Sequence, residues 1–156
     1  MLEVINITME FPGVKALDSV NLSFEVGKVN ALLGENGAGK STLLKILSGV
    51  YQGYSGEIRI NGQPVTFPDT KASQEAGIAI IHQELNLFPN LTICENIFLG
   101  KEIENSLGLL DSKAMNHICE DLLKQVGVKA KPQTLLGDLK VSEQQLIEIA
   151  KALHSK

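Results

Sequence analysis

The eight residues Gly34-Glu35-Asn36-Gly37-Ala38-Gly39-Lys40-Ser41 fit the spacing G-x-x-x-x-G-K-S, with a third glycine, Gly37, at one of the variable positions. The run before them, residues 29–33, is apolar and rich in strand formers, and the run after them, residues 42–47, has helical character. A strand, a glycine-rich turn and a helix N-terminus form the context in which such a loop surrounds phosphate oxygens. The spacing therefore predicts a site for a nucleoside triphosphate.

The residue types of this loop explain why it would bind phosphate. Glycines let the backbone adopt conformations closed to other residues, so that successive N–H groups turn inward. A helix N-terminus adds unpaired N–H groups and the positive end of its dipole, while Lys40 brings a full charge toward the β- and γ-phosphates. Ser41 is placed to ligate Mg²⁺. The alternative, a turn that only joins a strand to a helix, seldom satisfies the full pattern in this context.

Size, composition and charge narrow the remaining classes. With 156 residues and 44% hydrophobic content, the chain is long enough for one globular domain with a core. The formal charge of −4 and the absence of a Lys/Arg cluster disfavour nucleic acid as a partner. No run is apolar enough to predict a membrane span, the N-terminus lacks a secretory signal, and we expect a cytosolic chain. Cys94 and Cys119 lack metal or redox spacing and are predicted to be reduced and partly buried.

Hydrophobic periodicity predicts a strand-rich N-terminal portion followed by a helical C-terminal portion. A hairpin is predicted where Asn61-Gly62 separates two apolar runs. The short apolar run at residues 77–81 is predicted to be a buried parallel strand. The predicted strands cover residues 2–9, 20–26, 29–33, 57–60, 63–67 and 77–81, and the predicted helices cover residues 70–76, 92–98, 112–126 and 142–153.

Two details of the helices can be predicted from the sequence. Ser112 precedes a long periodic run and is predicted to be its cap. In the last helix, Leu146, Ile149, Ala150 and Leu153 fall at helical spacing, and we expect this face to pack against a core.

Several segments together resemble the ATP-binding subunit of an ABC transporter. They are residues 20–22 (VNL) before the phosphate loop, residues 56–58 (GEI) after it, and residues 80–85 (IIHQEL). Within that family, residues 11–18 (FPGVKALD), 34–39 (GENGAG) and 82–87 (HQELNL) most resemble the monosaccharide importers of the ribose, galactose and xylose type. The similarity is most specific in the phosphate loop and in the segment around Gln83, and it is weakest between residues 101 and 112.

The resemblance implies an α/β fold, that of the P-loop NTPase class in its ABC ATPase form, with an antiparallel β-subdomain and an α-helical subdomain. Residues 1–156 would form a partial ATP-binding domain. Residues 1–81 would be its β-rich core with the P-loop, and residues 82–156 its Q-loop and helical subdomain. The sequence ends before the acidic Walker B strand of the family, so we expect very slow hydrolysis from these residues alone.

The resemblance also assigns roles to individual residues. Phe11 matches the aromatic residue that stacks on adenine, although an ordinary core role is the alternative. Gln83 matches the glutamine that reaches Mg²⁺ and the attacking water. Lys40 and Gln83 are therefore the implied catalytic residues, and Ser41 and Gln83 the implied metal ligands. The implied nucleotide-binding residues are Phe11, Gly34, Glu35, Asn36, Gly37, Ala38, Gly39, Lys40, Ser41 and Thr42, with ATP and Mg²⁺ as cofactors.

Partners follow from the same resemblance. The subunits of this family act at the cytoplasmic face of the membrane on transmembrane permease subunits, with a sugar-binding protein in the same system. Two ATP-binding domains meet in a head-to-tail dimer. Residues 84–100 resemble the surface that meets the permease, but their apolar side chains would equally fill the core of the helical portion. Both interpretations stay open at this stage.

One departure concerns the signature sequence Leu-Ser-Gly-Gly-Gln of the family. The aligned residues 139–143 read LKVSE, with Lys140 in place of the serine. A long cation cannot reproduce the hydrogen-bonding geometry of a compact hydroxyl. We therefore expect this half of the composite ATP site to be weakened.

Two other function classes compete with the transport ATPase. The chain could be a truncated, non-catalytic nucleotide-binding or interaction module, which would bind nucleotide without turnover. A P-loop kinase or GTPase would require an acceptor-site lid or a guanine-reading Asn-Lys-x-Asp, and neither pattern is visible.

Overall fold

A computed structural model describes residues 1–81 and 85–154, and the chain divides into two units, Met1–Ile78 and Ala79–Lys156. The first unit contains a four-stranded sheet and two helices, and the second contains three helices and a short 3₁₀ helix. Each unit has its own apolar core.

The sheet of the first unit is antiparallel throughout, with the strand order β2-β1-β3-β4. The pairing of β3 with β4 agrees with the hairpin predicted at Asn61-Gly62, and the first two strands are longer than predicted. The turn between β3 and β4 consists of Asn61 at φ 52° and Gly62 at φ 78°, the pair of positive angles that favours an Asn-Gly sequence. The strands are β1 (Leu2–Phe11), β2 (Val14–Phe24), β3 (Ser55–Ile60) and β4 (Gln63–Val65).

One helix covers the core of this sheet. Helix α1 (Lys40–Leu47) directs Leu43, Ile46 and Leu47 inward, as expected for an amphipathic helix on a sheet face. Helix α2 (Thr70–Glu75) is capped by Asp69, whose Oδ1 accepts the N–H of Ala72 at 2.8 Å. The remaining members of the core are Val4, Ile7, Met9, Leu17, Ile58 and Phe67.

Two predicted strands are not formed, which corrects the expectation for residues 29–33 and 77–81. Val29 is 100% exposed and Leu33 is 88% exposed. A parallel strand is stable when it pairs with neighbouring strands and when both faces of its sheet are covered. Among the described residues no strand pairs with either segment, and both segments therefore lack regular secondary structure.

The second unit is helical, as predicted. Its core contains residues from all three helices and from the chain that joins them. The elements are α3 (Ile93–Phe98), α4 (Ser112–Val126), a 3₁₀ helix (Leu136–Asp138) and α5 (Val141–His154). The buried core residues are Ile93, Cys94, Ile97, Phe98, Met115, Cys119, Leu122, Leu123, Val128, Leu136, Ile147 and Ala150. Within residues 1–81 and 85–154, no helix has both the length and the apolarity needed to cross a bilayer.

Two details of these helices differ from the prediction. Asp111, not Ser112, caps α4, because its Oδ1 accepts the N–H of Ala114 at 2.9 Å. In α5 the fully buried isoleucine is Ile147, whereas Ile149 is 39% exposed. The core face of α5 is therefore rotated from the predicted one by part of a turn.

Candidate functional site

The phosphate loop ends directly at the N-terminus of α1. Gly37 and Gly39 have φ angles of 86° and 84°, in the left-handed region that favours glycine. The carbonyl of Gly39 accepts the N–H of Leu43 at 2.9 Å, so the helical ladder begins at the last residue of the loop. The first turn of a helix leaves its N–H groups for an external acceptor. The loop therefore presents these donors together with the positive helix end.

Gly39 is required by space as well as by its backbone angle. A Cβ at this position would lie 2.5 Å from the carbonyl oxygen of Ala16 and 2.6 Å from Cδ2 of Leu17. Both neighbours belong to β2. This close approach holds the end of the loop and the start of α1 against the sheet.

Lys40 is folded into the loop that precedes it. Its Nζ donates to the carbonyl oxygens of Gly34 and Glu35, each at 2.7 Å. The ammonium has three donors, and two of them are used here. The positive charge is thus held against the opening residues of the loop.

The other predicted residues of the loop differ in exposure. Ser41 lies in the first turn of α1 with an exposed side chain, and Thr42 beside it is partly buried. In the described part of the chain, no group of three or more His, Cys, Asp or Glu side chains could hold a metal ion by itself. Mg²⁺ commonly takes one protein oxygen together with phosphates and waters, and a single hydroxyl suits that pattern. The exposed members of the loop are Gly34, Glu35, Asn36, Gly37, Ala38 and Ser41, and the partly buried ones are Gly39, Lys40 and Thr42.

Phe11 occupies the end of β1 at the turn into β2. Its ring is partly buried against the core of the first unit and meets Tyr51 edge-on, with centroids 5.4 Å apart and planes at 69°. Nζ of Lys45 lies 5.1 Å from the centroid of the Tyr51 ring. Phe11 therefore packs in the core in part, and its ring is not fully enclosed.

Gln83, the predicted second catalytic residue, lies outside the described residues. The chain that follows it is held at two points. The N–H of Asn86 donates to Oε1 of Glu148 at 2.8 Å, and the N–H of Phe88 donates to Oδ1 of Asn96 at 2.7 Å. Neither anchor was predicted. The sequence signal for Asn96 is its position as an amide in a mostly apolar helix, residues 93–98 (ICENIF).

The described apolar side chains of residues 85–100 divide into buried ones, which belong to the core, and exposed ones. Ile93, Ile97 and Phe98 are at most 2% exposed and belong to the core of the second unit, whereas Phe88 is 52% and Leu99 is 43% exposed. A groove of about 260 Å³ lies beside Phe98 and Leu99. Its lining residues are Leu91, Cys94, Glu95, Phe98, Leu99, Glu102, Leu110 and Met115.

Both cysteines are buried and free, Cys94 at 8% and Cys119 at 0% exposure. Burial raises the pKa of both thiols, and that of Cys119 to about 12. A thiol with a raised pKa is protonated near neutral pH and is a poor nucleophile. The cysteines therefore act as small core residues.

Lys140 stands at the start of α5 in a half-complete cap. Its backbone N–H donates to Oε2 of Glu143 at 3.0 Å, which is one half of a capping box. The other half needs a side-chain oxygen at position 140, which lysine lacks. Gln144 braces the same turn, since its Nε2 donates to the carbonyls of Leu136 at 3.2 Å and Leu139 at 3.1 Å.

This cap yields a first prediction. Lys140→Ser is expected to raise the free energy of unfolding by about 1 kcal/mol, because the hydroxyl would complete the box as an acceptor for the N–H of Glu143, which now donates to the carbonyl oxygen of Lys140 at 2.9 Å and shares that acceptor with the N–H of Gln144. Urea unfolding followed by circular dichroism measures the change. Lys140→Ala is the control and should stay within about 0.5 kcal/mol. Equal stability of the Ser and Ala variants would contradict the cap.

The same substitution tests the predicted weakness of the signature sequence. In a protein that contains a complete ATP site, Lys140→Ser is expected to raise the rate of ATP turnover. An unchanged rate would show that Lys140 does not limit the site.

Comparison with protein families gives a match over residues 17–156 to the family described as "ABC transporter". The chain is 50% identical over 153 residues to a putative ribose/galactose/methyl galactoside import ATP-binding protein of Pseudomonas fluorescens. It is 48% identical to a protein of the same description from Pseudomonas syringae pv. tomato. These alignments cover 98% of this chain but only 30% and 29% of the relatives, so the chain spans less than a third of their length.

Solved structures give the same fold. A nucleotide-free ATP-binding cassette from an ABC transporter superposes with a TM-score of 0.78 at 26% identity, covering 99% of this chain and 64% of the other. A dimeric cassette in a post-hydrolysis state, bound to ADP and phosphate, gives a TM-score of 0.73 at 26% identity, with coverage of 99% and 70%.

Proposed function

The chain belongs to the ABC transporter family, with part of the fold of an ATP-binding cassette, and we propose that it is the N-terminal part of an import subunit that couples ATP hydrolysis to monosaccharide uptake. The observation that carries the proposal is the loop of residues 34–41. It combines left-handed glycines, the N-terminus of α1 and an inward-held lysine.

The residues of the loop would act on the phosphates in distinct ways. Backbone N–H groups at the start of α1 bind phosphate oxygens, and the Lys40 ammonium exchanges the carbonyls of Gly34 and Glu35 for the β- and γ-phosphates. The Ser41 hydroxyl would hold Mg²⁺, which would supply positive charge against that of the phosphates. Gln83 orients the attacking water. Phe11 stacks on the adenine base.

The proposed partners follow from the relatives, which are described as import ATP-binding proteins. The subunit works at the cytoplasmic face of the membrane with transmembrane permease subunits and a sugar-binding protein. It pairs head-to-tail with a second ATP-binding domain. The exposed Phe88 and Leu99 support residues 84–100 as the permease-facing segment.

Calorimetry with MgATP and a phosphate-release assay test this function in the full-length protein. Binding together with turnover supports the proposal. Binding without turnover, even when the permease is present, supports the second candidate, a non-catalytic nucleotide-binding module. The inward-held Lys40 is compatible with either outcome. If MgATP does not bind, both proposals fail.

The role of Phe11 gives a further prediction. Phe11→Ala is expected to raise the dissociation constant of MgATP about tenfold, because stacking on a base is worth about 1–3 kcal/mol. Phe11→Leu keeps apolar packing against the core but loses the flat ring, and it should weaken binding similarly with less loss of stability. Phe88→Ala, the same change at an exposed phenylalanine of the second unit, is the control. Unchanged affinity in both Phe11 variants would leave Phe11 a core residue only.

A further inference from the structure

Glu148 is a buried carboxylate that the proposed chemistry does not use. It is 9% exposed and lies in α5 between Ile147 and Ala150. Both of these residues are 0% exposed and belong to the core of the second unit. A charged group in such surroundings requires a hydrogen-bond partner. Glu148 has one in the backbone N–H of Asn86, at 2.8 Å from Oε1.

This hydrogen bond joins two distant parts of the sequence. Asn86 and Glu148 are 62 residues apart. Asn86 lies three residues after Gln83, at the start of the segment that we assign to the permease. Glu148 lies seven residues after Val141, the first residue of α5, which itself belongs to the signature residues 139–143. Seven helical residues span about 10 Å, so one carboxylate ties this segment to the helix that carries the signature.

The second anchor of the segment has a different character. Asn96 bonds to Phe88, Leu91 and Thr92, which are at most eight residues away in sequence. It therefore fixes the shape of the segment locally. Glu148 connects the segment to α5, so a displacement of the segment would also move this helix.

We propose that Glu148 is a positioning residue that couples the segment following Gln83 to α5, so that permease contact and the signature end of α5 move together. The inference rests on the proposed function. A hydrogen bond from an N–H to a carboxylate is stronger than a neutral one, and its loss would remove the partner that holds the N–H of Asn86 to the buried Glu148. The segment and the helix would then move independently.

Three variants separate the tether from simple stabilisation. Glu148→Ala removes the acceptor, and Glu148→Gln keeps an oxygen at nearly the same place. Asn86→Pro removes the N–H and also fixes φ at position 86, where the side chain that it replaces is exposed. Glu120→Ala, at an exposed glutamate of α4, is the matched control.

The first measurement is amide hydrogen exchange of Asn86 in the full-length protein. We expect Glu148→Ala to accelerate exchange at least tenfold and Glu148→Gln less than threefold. Unchanged exchange in Glu148→Ala would overturn the tether.

The second measurement is the ratio of sugar-stimulated to unstimulated ATPase rate in the subunit assembled with its permease. Glu148→Ala and Asn86→Pro are expected to lower this ratio at least threefold, while the MgATP dissociation constant stays within twofold. Glu148→Gln should retain more than half of the ratio. A purely structural role would lower the active fraction and leave the ratio unchanged, and that result would overturn the coupling.

The two proposals fail in different ways. If the wild-type assembly hydrolyses no MgATP, the proposed function fails and the coupling fails with it. If wild type is stimulated by sugar and Glu148→Ala is stimulated equally, only the inference on Glu148 is overturned.

Discussion

Lys40→Met is expected to lower the rate of MgATP hydrolysis by the full-length protein about 10²- to 10³-fold. Methionine has a similar length but no charge, so the variant would lose the cation that the loop holds near Gly34 and Glu35. Removing one preorganised electrostatic group from a transition state typically has an effect of this size. A phosphate-release assay at saturating MgATP measures it.

Lys71→Met is the matched control for this prediction. Lys71 lies in α2 with an 82% exposed side chain and only a 3.9 Å ion pair to Glu75. Exposed ion pairs contribute little to stability, so we expect a rate within twofold of wild type. If Lys40→Met retained more than a tenth of the wild-type rate, the loop would not hold the transferred phosphate as proposed.

The elements predicted correctly from the sequence depend on local chemistry. The Asn61-Gly62 turn follows from two residues that tolerate positive φ, and the helices predicted at residues 92–98 and 112–126 follow from their hydrophobic periodicity. Such signals act within a few residues, so they can be recognised without knowing the rest of the fold.

The failures arise where structure depends on distant neighbours. Residues 29–33 and 77–81 have the composition of buried parallel strands, but a strand forms only when another strand lies beside it. The sequence of the segment itself does not report whether that partner is present. The same reason explains the orientation of α5, where packing buried Ile147 and left Ile149 exposed.

The candidate site shows the same division. The glycines and Lys40 were recognised because loop chemistry fixes their spacing over eight residues. Glu148 and Asn96 were not, because their function comes from backbone groups that the fold brings to them. A glutamate in a helix is normally a solvated residue, and only its burial reveals a different role.

Asn96 contributes the largest expected effect on stability. It is fully buried, and its side chain accepts the N–H of Phe88 and donates to the carbonyls of Phe88, Leu91 and Thr92 at 2.9 to 3.4 Å. Each of these carbonyls also accepts a backbone N–H, from Leu91, Leu136 and Asn96 respectively. The described structure gives the N–H of Phe88 no acceptor besides Asn96. Removing the Asn96 side chain would therefore leave this N–H without a hydrogen bond.

Asn96→Ala is therefore expected to lower the free energy of unfolding by about 3 kcal/mol, from the hydrogen bonds lost by a fully buried side chain and from the partly buried N–H of Phe88 left unpaired. Urea unfolding followed by far-ultraviolet circular dichroism measures it, because α4 and α5 supply most of the helical signal. Asn90→Ala, the same change at an exposed position of the neighbouring turn, should stay within about 0.5 kcal/mol.

Asn96→Asp tests the direction of the hydrogen bonds. The introduced carboxylate would still accept the N–H of Phe88, but its second oxygen would face carbonyls that the amide formerly bonded. Repulsion and burial would raise the pKa of this carboxyl above its ordinary value in the folded state. Stability would then be greatest below the unfolded-state pKa and would fall as pH rises through the folded-state pKa, when measured relative to wild type. A variant whose stability relative to wild type does not change with pH would show that the amide donors of Asn96 do not hold the segment.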